Sequence, residues 1–144
     1  MTTSRYDDND IFAKILRGEI PSHRVYEDKD TVAFMDVMPQ APGHVLVIPK
    51  SGSRNILDAD PAVLSKLVPI VQKVANAVKD AFDADGILIS QFNEAAAGQT
   101  VFHLHFHIIP RHEGAAMRPH SGSMEDGAVL AAHADKIRAA LDKQ

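Results

Sequence analysis

The chain has 144 residues, 45% of them apolar and 24% charged, which fits one globular domain with room for a sizeable core. A net charge of −4 and an isoelectric point of about 6.0 provide no global field for nucleic acid or anionic membranes, so an anionic ligand needs a local site. There is no Cys, which excludes disulfides, Cys-ligated zinc and Cys nucleophiles and fits a cytoplasmic location.

Residues 1–10 are polar and acidic, unlike a secretion signal, and no apolar run approaches the roughly 18–20 residues of a membrane span. Asp10–Leu16 is expected to be a short helix, with Ile11, Phe12, Ile15 and Leu16 at helical spacing and Gly18 as a stop. Arg24–Glu27 and Thr31–Asp36 read as strands joined by the turn Asp28-Lys29-Asp30. Pro39, Pro42 and Gly43 mark a loop, and His44–Pro49 reads as a strand covered on both faces. Asp60 and Pro61 then open a long helix whose stripe is Leu64, Leu67, Val71, Val74, Val78 and Phe82, with Pro69 either kinking it or tolerated near its start. Gly86 opens a strand over Ile87–Asn93, and Glu94–Gln99 is a small-residue loop. After the next strand come a loop over 112–124 and an amphipathic helix over Ala128–Leu141. Antiparallel strands beside two main helices point to an α+β sheet with the helices on one side. No repeat or linker divides the chain, so residues 1–144 are taken as one domain.

The strand left out of that list carries the chemistry. His103-Leu104-His105-Phe106-His107 alternates imidazoles with apolar residues, so His103, His105 and His107 share one face while Leu104, Phe106 and Ile108 enter the core. Imidazoles spaced roughly 6.5–7 Å apart along a strand can converge on one phosphate or one metal. Spacing alone leaves three readings open: an incidental cluster, metal ligands completed from elsewhere, or a nucleophile with acid–base partners acting on a phosphoryl group. The loop before the strand favours the last. Its small residues, Gly98 among them, allow backbone N–H groups near an oxyanion, and Asn93, Gln99 and Thr100 add neutral donors that can release a product.

These residues resemble the histidine triad (HIT) family. The signature is Asn93-x5-Gly98-Gln99-Thr100-Val101-x-His103-x-His105-x-His107-Ile108-Ile109-Pro110-Arg111. A second block runs Asp36-Val37-x-Pro39-x-Ala41-Pro42-Gly43-His44-x-Leu46-Val47-Ile48-Pro49-Lys50, and a third Ile11-Phe12-x-Lys14-Ile15-x-x-Gly18-Glu19-Ile20-Pro21-Ser22. The motif-bearing core spans 10–111, with 112–144 as a C-terminal loop and helix. The resemblance implies a five-stranded antiparallel sheet, extended across a homodimer into ten strands. It also implies a purine-nucleotide hydrolase that cleaves at the α-phosphorus through a nucleotidyl-histidine, with no cofactor. His105 matches the nucleophile. His107 and His44 match positions that bond the α-phosphate, and His103 matches the first His, which supports the nucleophile. Gln99 and Thr100 match contacts to phosphate or leaving group, and Asp36 matches a ribose-binding carboxylate. Ile11, Phe12, Phe34 and Val37 fall where relatives form the base slot or ordinary core. The resemblance favours a nucleoside 5′-phosphoramidate as substrate. Dinucleoside polyphosphate hydrolysis, or nucleotide binding and partner recruitment with incidental catalysis, remain as alternatives.

Two departures stand out. Bacterial relatives often hold a structural zinc on two Cys, a His and the first triad His. The matching positions here are Asp10, Ala13, Gly52 and His103, so no metal is expected. The family loop usually has Gly where Ala95 stands, and a positive φ there would cost on the order of 1 kcal/mol. His112 and His120 are expected to be solvated.

Overall fold

The computed structural model describes residues 6–119 and 123–144. Its strands are β1 (Arg24–Glu27), β2 (Thr31–Met35), β3 (Val45–Pro49), β4 (Gly86–Ser90) and β5 (Phe106–Arg111). They form one antiparallel five-stranded sheet in the order β1-β2-β3-β5-β4. The helices are α1 (Ile11–Leu16), α2 (Pro61–Ala81) and α3 (Gly127–Asp142). The expected α+β architecture is therefore present.

Alternation along the central strands divides the core in two. Ala33, Met35, Val45 and Val47 face α2 and α3, while Val32, Phe34, Leu46 and Ile48 pack on Phe12 and Ile15 of α1. The two long helices share one face, as expected. The short α1 covers the other, which is why β2 and β3 are buried along their whole length. Each helix starts on an aspartate cap. Asp10 accepts from the amides of Phe12 and Ala13, Asp60 from that of Ala62, and Asp126 from that of Ala128. Pro69 lies on the exposed side of α2, and the helix runs through it.

Two strand boundaries differ from expectation by more than one residue. β4 ends at Ser90, because Gln91 and Asn93 bond to each other and Asn93 Oδ1 accepts the Ile56 amide. β5 begins only at Phe106, so His103 and His105 stand on an irregular run before it. Val47 pairs with Phe106, which would bring Leu104 opposite Pro49. Proline has no N–H for the ladder, and its carbonyl is already taken by His103 Nε2 at 2.9 Å. The Leu104 amide turns instead to the Ser53 carbonyl at 2.8 Å. Among the described residues, no helix is long and apolar enough to cross a membrane.

Candidate active site

Strand register puts His107 opposite Leu46 of β3 and Ser90 of β4, and so on the α1 face of the sheet. His105 follows on that face, its ring centroid 4.9 Å from that of His107. Leu104 and Ile108 enter the opposite core, so the expected division of side chains holds although only His107 lies within β5. Phe12 stands edge-on to His105 at 5.0 Å and to Phe34 at 5.4 Å. His44 arrives just before β3 through a turn at Gly43. That residue has φ +93°, and a Cβ there would lie 2.6 Å from the Phe82 ring, so only glycine fits. His44, His103, His105 and His107 are all buried.

Hydrogen bonds fix the tautomers. His105 Nδ1 lies 2.6 Å from the His103 carbonyl, which can only accept. Nδ1 therefore carries the proton, and the in-plane lone pair of neutral His105 is on Nε2. The Gln40 amide donates to His44 Nδ1 at 3.1 Å, which puts the His44 proton on Nε2. That Nε2 lies 3.0 Å from His107 Nδ1 and 3.5 Å from Asp36 Oδ2. His107 Nδ1 then accepts, and its own proton sits on Nε2. Neighbouring rings thus offer opposite functions, a lone pair at His105 Nε2 and a donor at His107 Nε2.

Of the nucleotide-binding candidates, Asp36 is buried, with Oδ1 accepting the Met38 amide at 2.8 Å. Phe12 and Phe34 are buried beside the triad, while Ile11 and Val37 are exposed. The Gln99 side chain is saturated within the loop. Its oxygen accepts from Asn55 and the Glu94 amide, and its nitrogen donates to the carbonyls of Arg54 and Val101. Asn93 is likewise bonded to Ile56 and Gln91, and Thr100 is exposed. The strain considered at Ala95 falls elsewhere. Ala95 opens a 3₁₀ turn, and positive φ occurs at Glu94 (+76°) and Gly98 (+106°). Gly98 lies against Phe92, whose ring is 5.7 Å from His107.

Among the described residues, ligand atoms of Asp36, His44 and His107 come within 4.8 Å of one another. A metal there would need lone pairs on His44 Nε2 and His107 Nδ1 together. His44 would then carry its proton on Nδ1, where the Gln40 N–H already points. The zinc positions of the resemblance do not fit a metal either. Ala13 offers no ligand, and the Tyr6 ring fills the space beside Gly52, where a Cβ would lie 2.5 Å from it. The Tyr6 hydroxyl is 2.9 Å from His103 Nδ1, and Asp10 Oδ2 is 3.5 Å from the same nitrogen.

Tyr6, Gln40, Ser53, Arg54, Asn55 and Phe92 were not foreseen. Their partners are distant in the chain, and only the missing side chain at Gly52 hinted that a bulky group needs the space. His112 is exposed, bonded to the Phe82 carbonyl at 2.9 Å, and His120 lies outside the described residues.

Comparison with known proteins agrees with this fold. The HIT domain model matches residues 17–114. A HIT-like protein of Bartonella henselae has a crystal structure that superposes with TM-score 0.89 at 61% identity, covering 94% of this chain and 99% of that one. A zinc-bound histidine triad family protein of Mycobacterium smegmatis superposes with TM-score 0.83 at 32% identity, covering 94% of each chain. Adenosine 5′-monophosphoramidase HNT1 of Candida albicans is 37% identical over 109 residues, 73% of this chain and 72% of its own. A triad leading into β5, an interior strand of this fold, with matches over most of the chain, makes the chain a member of the HIT family.

Proposed function

We propose that the protein hydrolyses purine nucleotides at the α-phosphorus, through a nucleotidyl-histidine on His105, and that its substrates are nucleoside 5′-phosphoramidates. The observation that carries this is the 2.6 Å bond from His105 Nδ1–H to the His103 carbonyl, which directs the lone pair to Nε2. In the first step Nε2 attacks phosphorus and the P–N bond breaks. The leaving nitrogen takes up a proton from solvent and departs as the amine. The resulting nucleotidyl-imidazolium keeps Nδ1–H on the His103 carbonyl. His107 Nε2–H donates to a non-bridging oxygen as charge builds, its tautomer set by His44. Water then attacks phosphorus, the P–Nε2 bond breaks, one water proton stays on the phosphate and the other passes to solvent, and the nucleoside monophosphate leaves.

Phe12, Phe34, Ile11 and Val37 are proposed as the base slot and Asp36 as the ribose partner. Asn93, Gly98 and Gln99 shape the phosphate loop that presents Thr100. The name of the Candida relative supports the P–N bond as the one cleaved. We also take the protein to be a cytoplasmic homodimer of single-domain chains.

The test is turnover of adenosine 5′-phosphoramidate and of diadenosine tetraphosphate, in EDTA, by the native protein and by His105→Asn. Native cleavage of the phosphoramidate that is lost in the variant is expected. Cleavage of the tetraphosphate alone would replace the substrate class, and equal rates in both proteins would remove His105 as nucleophile.

A further inference from the structure

The nucleophile is held by a backbone group, the carbonyl of His103, so whatever fixes residue 103 also aims His105. The His103 ring is wholly buried and gripped at both nitrogens. Nε2–H donates to the Pro49 carbonyl at 2.9 Å, and Nδ1 meets the Tyr6 hydroxyl at 2.9 Å, across 97 residues of chain. The Tyr6 and His103 rings also pack edge to face, with centroids 5.4 Å apart. Burial, with Asp10 close by, pushes the Tyr6 phenol up, so its O–H stays protonated at neutral pH.

The space for Tyr6 comes from a second position. Gly52 has no positive φ, so backbone freedom does not explain it. A Cβ there would come 2.5 Å from one carbon of the Tyr6 ring and 2.8 Å from the next. Asp10 explains why the hydroxyl matters beyond filling space. Its Oδ1 caps α1, while its buried Oδ2 has no hydrogen-bond partner among the described residues and lies 3.5 Å from His103 Nδ1. Without the Tyr6 O–H, the Nδ1 lone pair loses its donor and faces a buried carboxylate oxygen, so the ring has to turn or take up a proton.

We propose that Tyr6 is a positioning residue for the nucleophile: seated against Gly52, its hydroxyl holds the His103 ring off Asp10 and so keeps the His103 carbonyl under His105 Nδ1. This rests on the reading of His105 as nucleophile. Tyr6 touches no reacting atom and acts only through His103. In this chain it occupies the place that the resemblance gives to a structural zinc.

The experiment compares the native protein with Tyr6→Phe, which keeps the ring against Gly52 and removes only the O–H. Two readouts are taken. One is the imidazole ¹⁵N spectrum of His105, which distinguishes Nδ1–H from Nε2–H tautomers without any turnover. The other is the kcat and KM of phosphoramidate hydrolysis. The native His105 should show a single Nδ1–H tautomer. In Tyr6→Phe it should become a mixture, with kcat lowered on the order of ten- to a hundredfold and KM unchanged, as expected when reacting atoms are misplaced by a fraction of an ångström. Gly52→Ala, which displaces the ring and keeps the hydroxyl, should give the same spectral change. It serves if Tyr6→Phe fails to fold. An unchanged His105 spectrum in the folded variants overturns the proposal whatever the rate. A native protein inactive on every nucleotide tried, with the spectral change present, would instead overturn the functional reading and leave Tyr6 as the holder of His105.

Discussion

Glu94 adopts φ +76° and ψ 159°, a region that non-glycine residues occupy at a cost of about 1–3 kcal/mol. Its surroundings hold it there. Arg54 bonds both carboxylate oxygens at 2.8 Å, Asn55 adds a third bond at 2.7 Å, and the Glu94 amide donates to Gln99 Oε1 at 2.7 Å. Arg54 also lies 4.1 Å over the Phe102 ring, next to His103. The strained turn is thus tied directly to the segment that carries the triad. Glu94→Ala loses the ion pair and keeps the strain, whereas Glu94→Gly loses both. Denaturant unfolding should therefore find Glu94→Gly more stable than Glu94→Ala by about 1 kcal/mol, and the reverse order would contradict the strain assignment. At His107 the consequence is chemical. Removing a donor to a developing oxyanion costs roughly 10²–10³ in kcat, so His107→Ala should lose activity less completely than His105→Asn does. An unchanged rate would exclude that role. The four imidazoles were legible from spacing and resemblance. The groups that set their tautomers were not, because Gln40 acts through a backbone amide and Tyr6 acts from far along the chain.

At the scale of elements, what the sequence shows best is periodicity. α1, α2 and β1 to β3 lie where apolar spacing and aspartate caps put them, because each buries a face that local pattern alone defines. The end of β4 and the start of β5 escape that logic, since the first is decided by side-chain bonds of Gln91 and Asn93 and the second by Pro49, which cannot donate across a tertiary pairing. β4 also raises a question of assembly. It is an edge strand with Leu88 and Ile89 exposed, and beside it a groove of about 430 Å³ is lined by Val68, Val71, Ala75, Ile87 and Phe106. The other edge, β1, carries Arg24 and Glu27, and Arg138 of α3 bonds its backbone. Charged, covered edges resist pairing and open apolar ones invite it. The proposed homodimer therefore joins two β4 edges. Sedimentation at micromolar concentration should show a dimer, and Ile89→Lys should shift it to monomer. A native monomer at that concentration would remove this reading.

For the whole molecule, the N-terminal segment is fastened to the site by the side chains of Tyr6 and Asp10, and this sets which conditions should unfold it. A structural zinc contributes folding free energy, so removing it destabilises the fold. Here Tyr6 fills the space at Gly52 and Ala13 supplies no ligand, so EDTA should leave the melting temperature unchanged and purified protein should hold far less than one zinc per chain. A fall in melting temperature on chelation would contradict this. Acid should act instead. Burial alone raises the pKa of Asp10, but the His103 imidazole beside it and the Ala13 amide outweigh that, and the net value lies below the ordinary 3.8. A carboxylate lowered on folding stabilises the native state fully above its unfolded pKa, and that contribution is lost as pH falls through the folded value. Asp10→Asn should therefore be less stable than the native protein at neutral pH, with the gap closing as pH drops below about 3.8. Urea unfolding across pH 2–7 measures the gap directly. A difference that stayed constant with pH would show that the charge of Asp10, at the cap of α1 and beside His103, contributes nothing to the fold.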